Sequence, residues 1–125
     1  MERILLACPG LAMIDSLTFF LQHSGFEVAS AIGSGQVVAE IGRRLPDLVL
    51  ISENGRRMDV NELCIRIREQ SDVPIIVLGQ GNDEVAGVEM LDIGADAYLP
   101  SPLNARELLA SIRSLLRRAH PSKGT

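Results

Sequence analysis

Short runs of aliphatic residues recur along the whole chain and alternate with longer segments of helical periodicity. The clearest run is Leu48-Val49-Leu50-Ile51, and Ile75-Ile76-Val77-Leu78 has the same character. A continuous aliphatic run of this length is typical of a parallel strand covered on both faces. The alternation therefore predicts an α/β fold, with a parallel sheet between two layers of helices and right-handed crossovers. Five strands are expected, at about residues 3–8, 26–31, 47–52, 74–79 and 96–99.

The intervening segments carry apolar residues on one side only, which is the pattern of helices that pack on a sheet. The last helix has a predicted N-cap at Asn104 and a capping-box residue at Glu107. Glycines near three helix ends, Gly25, Gly42 and Gly94, are predicted to serve as left-handed caps. The stripes expected to be buried are Ile14, Leu17 and Leu21, then Val60, Leu63, Cys64 and Ile67, and finally Leu108, Ile112, Leu115 and Leu116.

Length and charge narrow the classes of protein that this chain can belong to. Its 125 residues fit one domain, expected over residues 1–118, followed at 119–125 by a flexible polar tail or the start of a linker. The net charge of −4 argues against a nucleic-acid-binding surface, which needs clustered basic side chains. Cys8 and Cys64 lack metal-ligand spacing, and no apolar run approaches a membrane span, so a reducing cytoplasm is the expected location.

Five strand segments and one short motif carry a resemblance to a known family. They are Arg3-Ile4-Leu5-Leu6, Gly25-Phe26-Glu27-Val28, Pro46 to Ile51, Val73 to Leu78 and Gly94 to Tyr98, followed by Pro100-Ser101-Pro102. On these segments, from Arg3 to Arg118, the chain resembles the receiver domain of bacterial two-component response regulators. That resemblance implies a flavodoxin-like (βα)5 fold with a five-stranded parallel sheet in the order 2-1-3-4-5.

The residues at the strand ends depart from that family. In receiver domains, two acids hold Mg²⁺, an aspartate accepts the phosphoryl group, and a hydroxyl residue and a lysine complete the pocket. The positions that match here carry Cys8 and Pro9, Ser52, Gly79 and Ser101, and the only lysine of the chain is Lys123. A thiol and a proline supply no ligands for Mg²⁺, and a serine must lose a proton before it attacks phosphorus. The expectation is a degenerate phosphorylation pocket, without catalysis, cofactor or metal.

Four residues near this pocket have alternative interpretations. Glu53 could replace the acceptor, although adjacent side chains of a strand point to opposite faces. Arg56 and Arg57 could make the loop a site for an anion or an acidic partner, or could simply solvate it. Cys8 could be a redox sensor if its thiolate were accessible, or a small apolar residue at a strand end.

A second region, formed by the fourth helix, fifth strand and fifth helix, transmits signals in receiver domains. The last helix looks most like that of the OmpR/PhoB winged-helix regulators, which form dimers by ion pairs there. Gly87, Ala97 and Ser111 are neutral where charges are common in the subfamily, so a dimer would depend more on apolar contact. The candidate interaction residues are Asp96, Tyr98, Glu107, Arg113 and Arg118. Tyr98 stands at the position of the rotating aromatic residue, and with Gly79 in place of the hydroxyl residue it has no trigger; it could equally be a space-filling residue.

Three functions are compatible with this pattern. The leading hypothesis is a phosphorylation-independent receiver-like module that acts by contact with a protein partner or by dimerisation, attached to a DNA-binding domain that is absent from this chain. The second is a small-molecule sensor that uses the emptied strand-end pocket. The third, an enzyme on the same scaffold, is disfavoured because no nucleotide-binding fingerprint, nucleophile elbow or His/carboxylate constellation is present.

Overall fold

The computed structural model describes residues 1–7, 11–52, 60–79, 84–100 and 102–119. Strands and helices alternate strictly over these residues, and each predicted strand is confirmed to within one residue at either end. The strands are β1 (Arg3–Ala7), β2 (Glu27–Ala31), β3 (Leu48–Ser52), β4 (Ile75–Leu78) and β5 (Ala97–Leu99). The helices are α1 (Leu11–His23), α2 (Ser34–Arg44), α3 (Val60–Gln70), α4 (Glu84–Ile93) and α5 (Ala105–Ala119).

The five strands form one parallel sheet in the order β2-β1-β3-β4-β5, as predicted. β1, β3 and β4 occupy its middle, and their aliphatic runs are buried almost completely. β2 lies at one edge and is half exposed, which explains its mixed composition, Glu-Val-Ala-Ser-Ala. The continuous hydrophobic runs of the sequence are therefore the central strands.

Alternate residues of the strands divide the core into two layers, one on each side of the sheet. We call the side covered by α2, α3 and α4 the α4 layer, and the side covered by α1 and α5 the α5 layer. The sheet supplies Leu5, Val49, Ile51, Ile75 and Val77 to the α4 layer and Ile4, Leu6, Leu48, Leu50, Ile76 and Leu78 to the α5 layer. All predicted stripe residues pack in these layers, with Ile14 only partly buried.

The helix caps are confirmed with one exception. Asn104 Oδ1 accepts the backbone N–H of Glu107 at 3.1 Å, and Gly25 and Gly94 have positive φ angles of 98° and 138°. The prediction for Gly42 was wrong, because α2 continues to Arg44 and Leu45 takes the left-handed cap at φ 48°. Proline at position 46 disfavours a helical conformation in the residue before it, so the helix ends there. Leu45 is 75% exposed and adopts a conformation that costs a side chain about 1–2 kcal/mol.

None of the helices in the described part of the chain has the length and apolar character that a membrane span requires.

Candidate functional site at the carboxyl ends of the strands

Two of the predicted pocket residues meet at the edge of the sheet where the strands end. Ser52 is the last residue of β3 and is 1% exposed, and it pairs in register with Leu78 of β4. Gly79 follows β4, and its N–H donates to the carbonyl of Leu99 at 2.8 Å. The central strands therefore bring positions 52 and 79 to one edge, as the resemblance implies. Cys8, Pro9 and Ser101, like Glu53, Arg56 and Arg57, lie outside the described residues.

The side chain of Tyr98 reaches this same edge from β5. Tyr98 pairs in register with Val77, is half-buried and packs against the α4 layer. A methyl group built on Gly79 would overlap the Tyr98 hydroxyl and Cζ and would lie 2.9 Å from Cε2. The phenol therefore occupies the volume that a side chain at position 79 would fill.

Asp96 makes contacts that hold the fold together. Its Oδ2 accepts the backbone N–H of Ile75 and a guanidinium N–H of Arg68, both at 2.8 Å. Arg68 also donates to the carbonyls of Gly94 at 3.1 Å and Val73 at 2.6 Å. We call these contacts the Arg68–Asp96 clamp; they join α3 to the starts of β4 and β5. The carboxylate predicted to face a partner is thus already engaged within the chain.

Cys64 lies in the α4 layer beside this clamp and is 0% exposed. Burial is the main reason why the pKa of its thiol is raised to about 11. The guanidinium of Arg68 lowers this pKa by a smaller amount, and the carboxylate of Asp96 raises it further. The thiol is therefore protonated at neutral pH and unreactive, as expected of a packing residue.

The remaining candidate interaction residues lie on α5 and are exposed. A shallow cavity of about 330 Å³ brings Asp96, Glu107 and Arg118 together, with Ser111 between them, while Arg113 is outside its lining. Helix α4, which contacts β5 from the other side of the sheet, carries two exposed apolar side chains, Val88 at 60% and Leu91 at 48%. We call this surface of α4, β5 and α5 the α4–β5–α5 face; it combines apolar groups with charges of both signs.

A larger cavity, of about 380 Å³, lies at the opposite, amino edge of the sheet, where Arg3, Arg43 and Arg44 line it together with Glu27. Arg3 lies 3.8 Å from Glu27, and Arg43 and Arg44 share Glu40 at 3.3 and 2.5 Å. Asp47 adds a third carboxylate, whose Oδ2 accepts the backbone N–H of Arg3 at 2.7 Å, so this edge is close to neutral. Over the described ranges of the chain, no three His, Cys, Asp or Glu side chains cluster as a metal site would require.

The sequence analysis did not identify Arg68 as a functional residue, and it noted Gly87 only as a neutral position, without a steric role. Arg68 falls in the last turn of α3, where basic residues are common, so nothing in the pattern distinguishes it. Gly87 lies inside α4, where glycine costs about 1 kcal/mol relative to alanine, and this is the signal that could have revealed a steric role. A methyl group at Gly87 would lie 3.1 Å from Cδ2 of Tyr98.

Comparison with known proteins agrees with this geometry. The profile of the response regulator receiver domain matches residues 11–113. The sensory transduction protein RegX3 of Mycolicibacterium smegmatis is 36% identical over 119 residues, which are 94% of this chain and 52% of that protein. Response regulator MprA of Mycobacterium sp. (strain KMS) is 37% identical over 123 residues, 98% of this chain and 54% of that protein. The chain thus spans about half the length of these curated relatives.

Solved structures give the same result at the level of the fold. A CheY-like response regulator receiver domain protein from Methanospirillum hungatei JF-1 superposes with a TM-score of 0.86 at 28% identity, covering 97% of this chain and 98% of that one. The receiver domain of Francisella response regulator 1452 superposes with a TM-score of 0.88 at 21% identity, covering 95% and 99%. With the profile match over most of its length, the chain belongs to the response regulator receiver domain family.

Proposed function

We propose that this chain is an atypical receiver domain that signals without accepting a phosphoryl group at the end of β3. In this proposal it acts by contact, with a protein partner or a second copy of itself, through the α4–β5–α5 face. The observation that carries the proposal is the buried serine at the last position of β3. No enzymatic step, metal or cofactor is part of it.

The chemistry of Ser52 supports this proposal. A carboxylate attacks phosphorus as it stands, whereas a serine hydroxyl needs a general base to take its proton. The Ser52 side chain is 1% exposed and lies within an aliphatic sheet. Charge that develops on a transferring phosphoryl group must be neutralised by cations, and the only lysine of the chain is Lys123.

The α4–β5–α5 face has the composition of a contact surface. Val88 and Leu91 expose apolar area on α4, and the shallow cavity formed by β5 and α5 carries acidic and basic groups. A surface that carries both signs of charge can match itself across a two-fold axis, or match a partner with the reversed arrangement. Exposed apolar side chains rimmed by polar ones are typical of protein interaction sites.

An amide NMR titration with Mg²⁺, followed by beryllofluoride, tests the phosphorylation-independent part. Beryllofluoride mimics an acyl phosphate, so we expect no shifts at Ser52, Gly79 or Tyr98. The receiver domain of the MprA relative, titrated under the same conditions, is the positive control. Saturable shifts at Ser52 that extend to Tyr98 would refute this part of the proposal.

A matched pair of surface variants tests the contact surface. Leu91 on α4 and Ile65 on α3 are both 48% exposed, so Leu91→Glu and Ile65→Glu add the same charge at equal exposure. We expect Leu91→Glu to weaken self-association, or binding to a partner, at least tenfold, and Ile65→Glu to leave it unchanged. Sedimentation equilibrium measures self-association, and titration calorimetry measures binding to a partner. Equal effects of the two variants would contradict the assignment of the face.

The wider setting is part of the proposal. The relatives RegX3 and MprA are about twice as long as the chain, and the resemblance of α5 to winged-helix regulators favours an attached DNA-binding domain. A cytoplasmic location fits such a regulator. The alternative, a small-molecule sensor in the strand-end pocket, is less favoured because Tyr98 already fills the volume next to Gly79. A ligand-dependent rise in melting temperature would support the alternative.

A further inference from the structure

Two glycines in this chain are explained by a single side chain. Gly79 and Gly87 are buried, and neither is among the described glycines with a positive φ, which are Gly25, Gly33 and Gly94. Their backbone conformation therefore does not require glycine; instead, the ring of Tyr98 would have to move to admit a side chain at position 79, and it leaves a methyl group at position 87 only a tight fit. A methyl group at Gly79 would overlap the hydroxyl end of Tyr98, and one at Gly87 would lie 3.1 Å from Cδ2 and 3.5 Å from Cγ.

The two glycines border different parts of the same ring. Gly79 faces the hydroxyl, Cζ and Cε2, whereas Gly87 faces Cδ2 and Cγ, so together they follow one edge of the ring from tip to base. We call the space between them the glycine slot. Elsewhere in the chain, Gly35 and Gly42 face open space, with nothing within 4 Å of an added methyl group. Among the described glycines, only Gly79 and Gly87 have atoms of the Tyr98 ring as the nearest neighbours of an added methyl group.

The backbone next to the slot is fixed on both sides. Tyr98 is the middle residue of β5 and pairs with Val77, and Gly79 N–H donates to the carbonyl of Leu99 at 2.8 Å. The ring also packs against the α4 layer, which includes Met90, a buried residue of the helix that carries Gly87. If the ring left, it would leave a void between β4 and α4, and voids in a close-packed interior are unfavourable.

We propose that the glycine slot holds the ring of Tyr98 permanently inward, that is, packed against Gly79 and Gly87 rather than turned towards solvent. The α4–β5–α5 face then has a single arrangement, which packing determines. The inference rests on the proposed function, because it explains how the α4–β5–α5 face keeps one binding conformation without a phosphoryl group. It adds that Gly79 has a positive role. The missing side chain at position 79 leaves room for a phenol, and that phenol makes the inward position the only well-packed one.

The chain provides its own probe, because Tyr98 is its single tyrosine and it has no tryptophan. With tyrosine labelled with ¹³C at Cζ, an atom on the axis of ring flips, we expect one sharp ¹³C resonance that is unchanged by Mg²⁺ and beryllofluoride. Two resonances, or a resonance broadened by exchange between ring positions, would refute the permanent inward position. A resonance that is sharp alone but moves with beryllofluoride would instead refute the phosphorylation-independent function.

Substitution at the slot provides a second, independent readout. Gly79→Thr forces the ring out, so we expect acrylamide to quench its tyrosine fluorescence several-fold more strongly than in the wild type. Gly42→Ala adds a methyl group in open space on α2 and should leave quenching unchanged. If Gly79→Thr does not fold, Gly87→Ala is the milder variant, since its methyl group meets only the ring edge. Wild-type quenching in a folded Gly79→Thr protein would overturn the inference.

Discussion

Replacing Asp96 with alanine is expected to lower the free energy of unfolding by about 2–3 kcal/mol, although the side chain is partly exposed. The substitution removes the acceptor of the Ile75 N–H, which then remains buried at the start of β4, and the anionic partner of Arg68. An unpaired buried donor costs about 1–3 kcal/mol, and loss of a charge-assisted hydrogen bond adds to it. Urea unfolding followed by circular dichroism measures the change.

Asp96→Asn is the matched control for this prediction. An asparagine oxygen can still accept from the Ile75 N–H, but it no longer carries the charge that Arg68 binds. We therefore expect about half of the alanine effect. If both variants unfold at the wild-type urea concentration, the Arg68–Asp96 clamp contributes little and the carboxylate is free to serve a partner.

Cys64 is expected to react with N-ethylmaleimide at least about 1,000-fold more slowly in the native protein than in urea. The side chain is 0% exposed, so modification requires an opening of the α4 layer. Opening of a core element approaches the free energy of global unfolding, about 5 kcal/mol or more for a domain, and each 1.4 kcal/mol is a factor of ten. Pulse labelling with peptide mass spectrometry separates Cys64 from Cys8 in the unmodified sequence.

The same thiol predicts how stability depends on alkaline pH. Burial raises the pKa of native Cys64 from 9.0 to about 11, so between these values the unfolded chain loses a proton that the native protein keeps. The free energy of unfolding should therefore fall as pH rises from 9 towards 11, and Cys64→Ala should remove that part of the slope.

Labelling of Cys64 should also accelerate roughly 30-fold in the Asp96→Ala protein, given a loss of about 2 kcal/mol. Rapid labelling of wild-type Cys64 would show an opening that bypasses the core.

The sequence predicts the architecture because two periodicities determine it. Residues 48–51 and 75–78 are aliphatic at every position, which is typical of a strand covered on both faces, and the α5 stripe repeats at helical spacing. The cap at Gly42 failed because a local rule favoured glycine while the next proline decided where the helix ended. The left-handed conformation of Leu45 is therefore not predicted by the identity of that residue.

The site is harder to predict from the sequence, because its main contacts join residues that are far apart along the chain. Arg68 and Asp96 are 28 residues apart, and no periodicity connects a basic residue at the end of one helix with an acid before a strand. The fit between Tyr98, Gly79 and Gly87 depends on a ring conformation, and absent side chains leave no pattern to detect. Alignment with a known family locates positions 52 and 79, whereas only coordinates reveal what fills the space between them.

β5 is only three residues long and forms part of the proposed contact surface. Its adjacent side chains pack into both layers of the core. Tyr98 packs into the α4 layer, while Ala97 and Leu99 pack into the α5 layer. The backbone of β5 therefore links the two layers at this edge of the sheet. We expect substitutions under α5 and under α4 to have nearly additive effects on the free energy of unfolding, and a departure from additivity measures the coupling between the two layers.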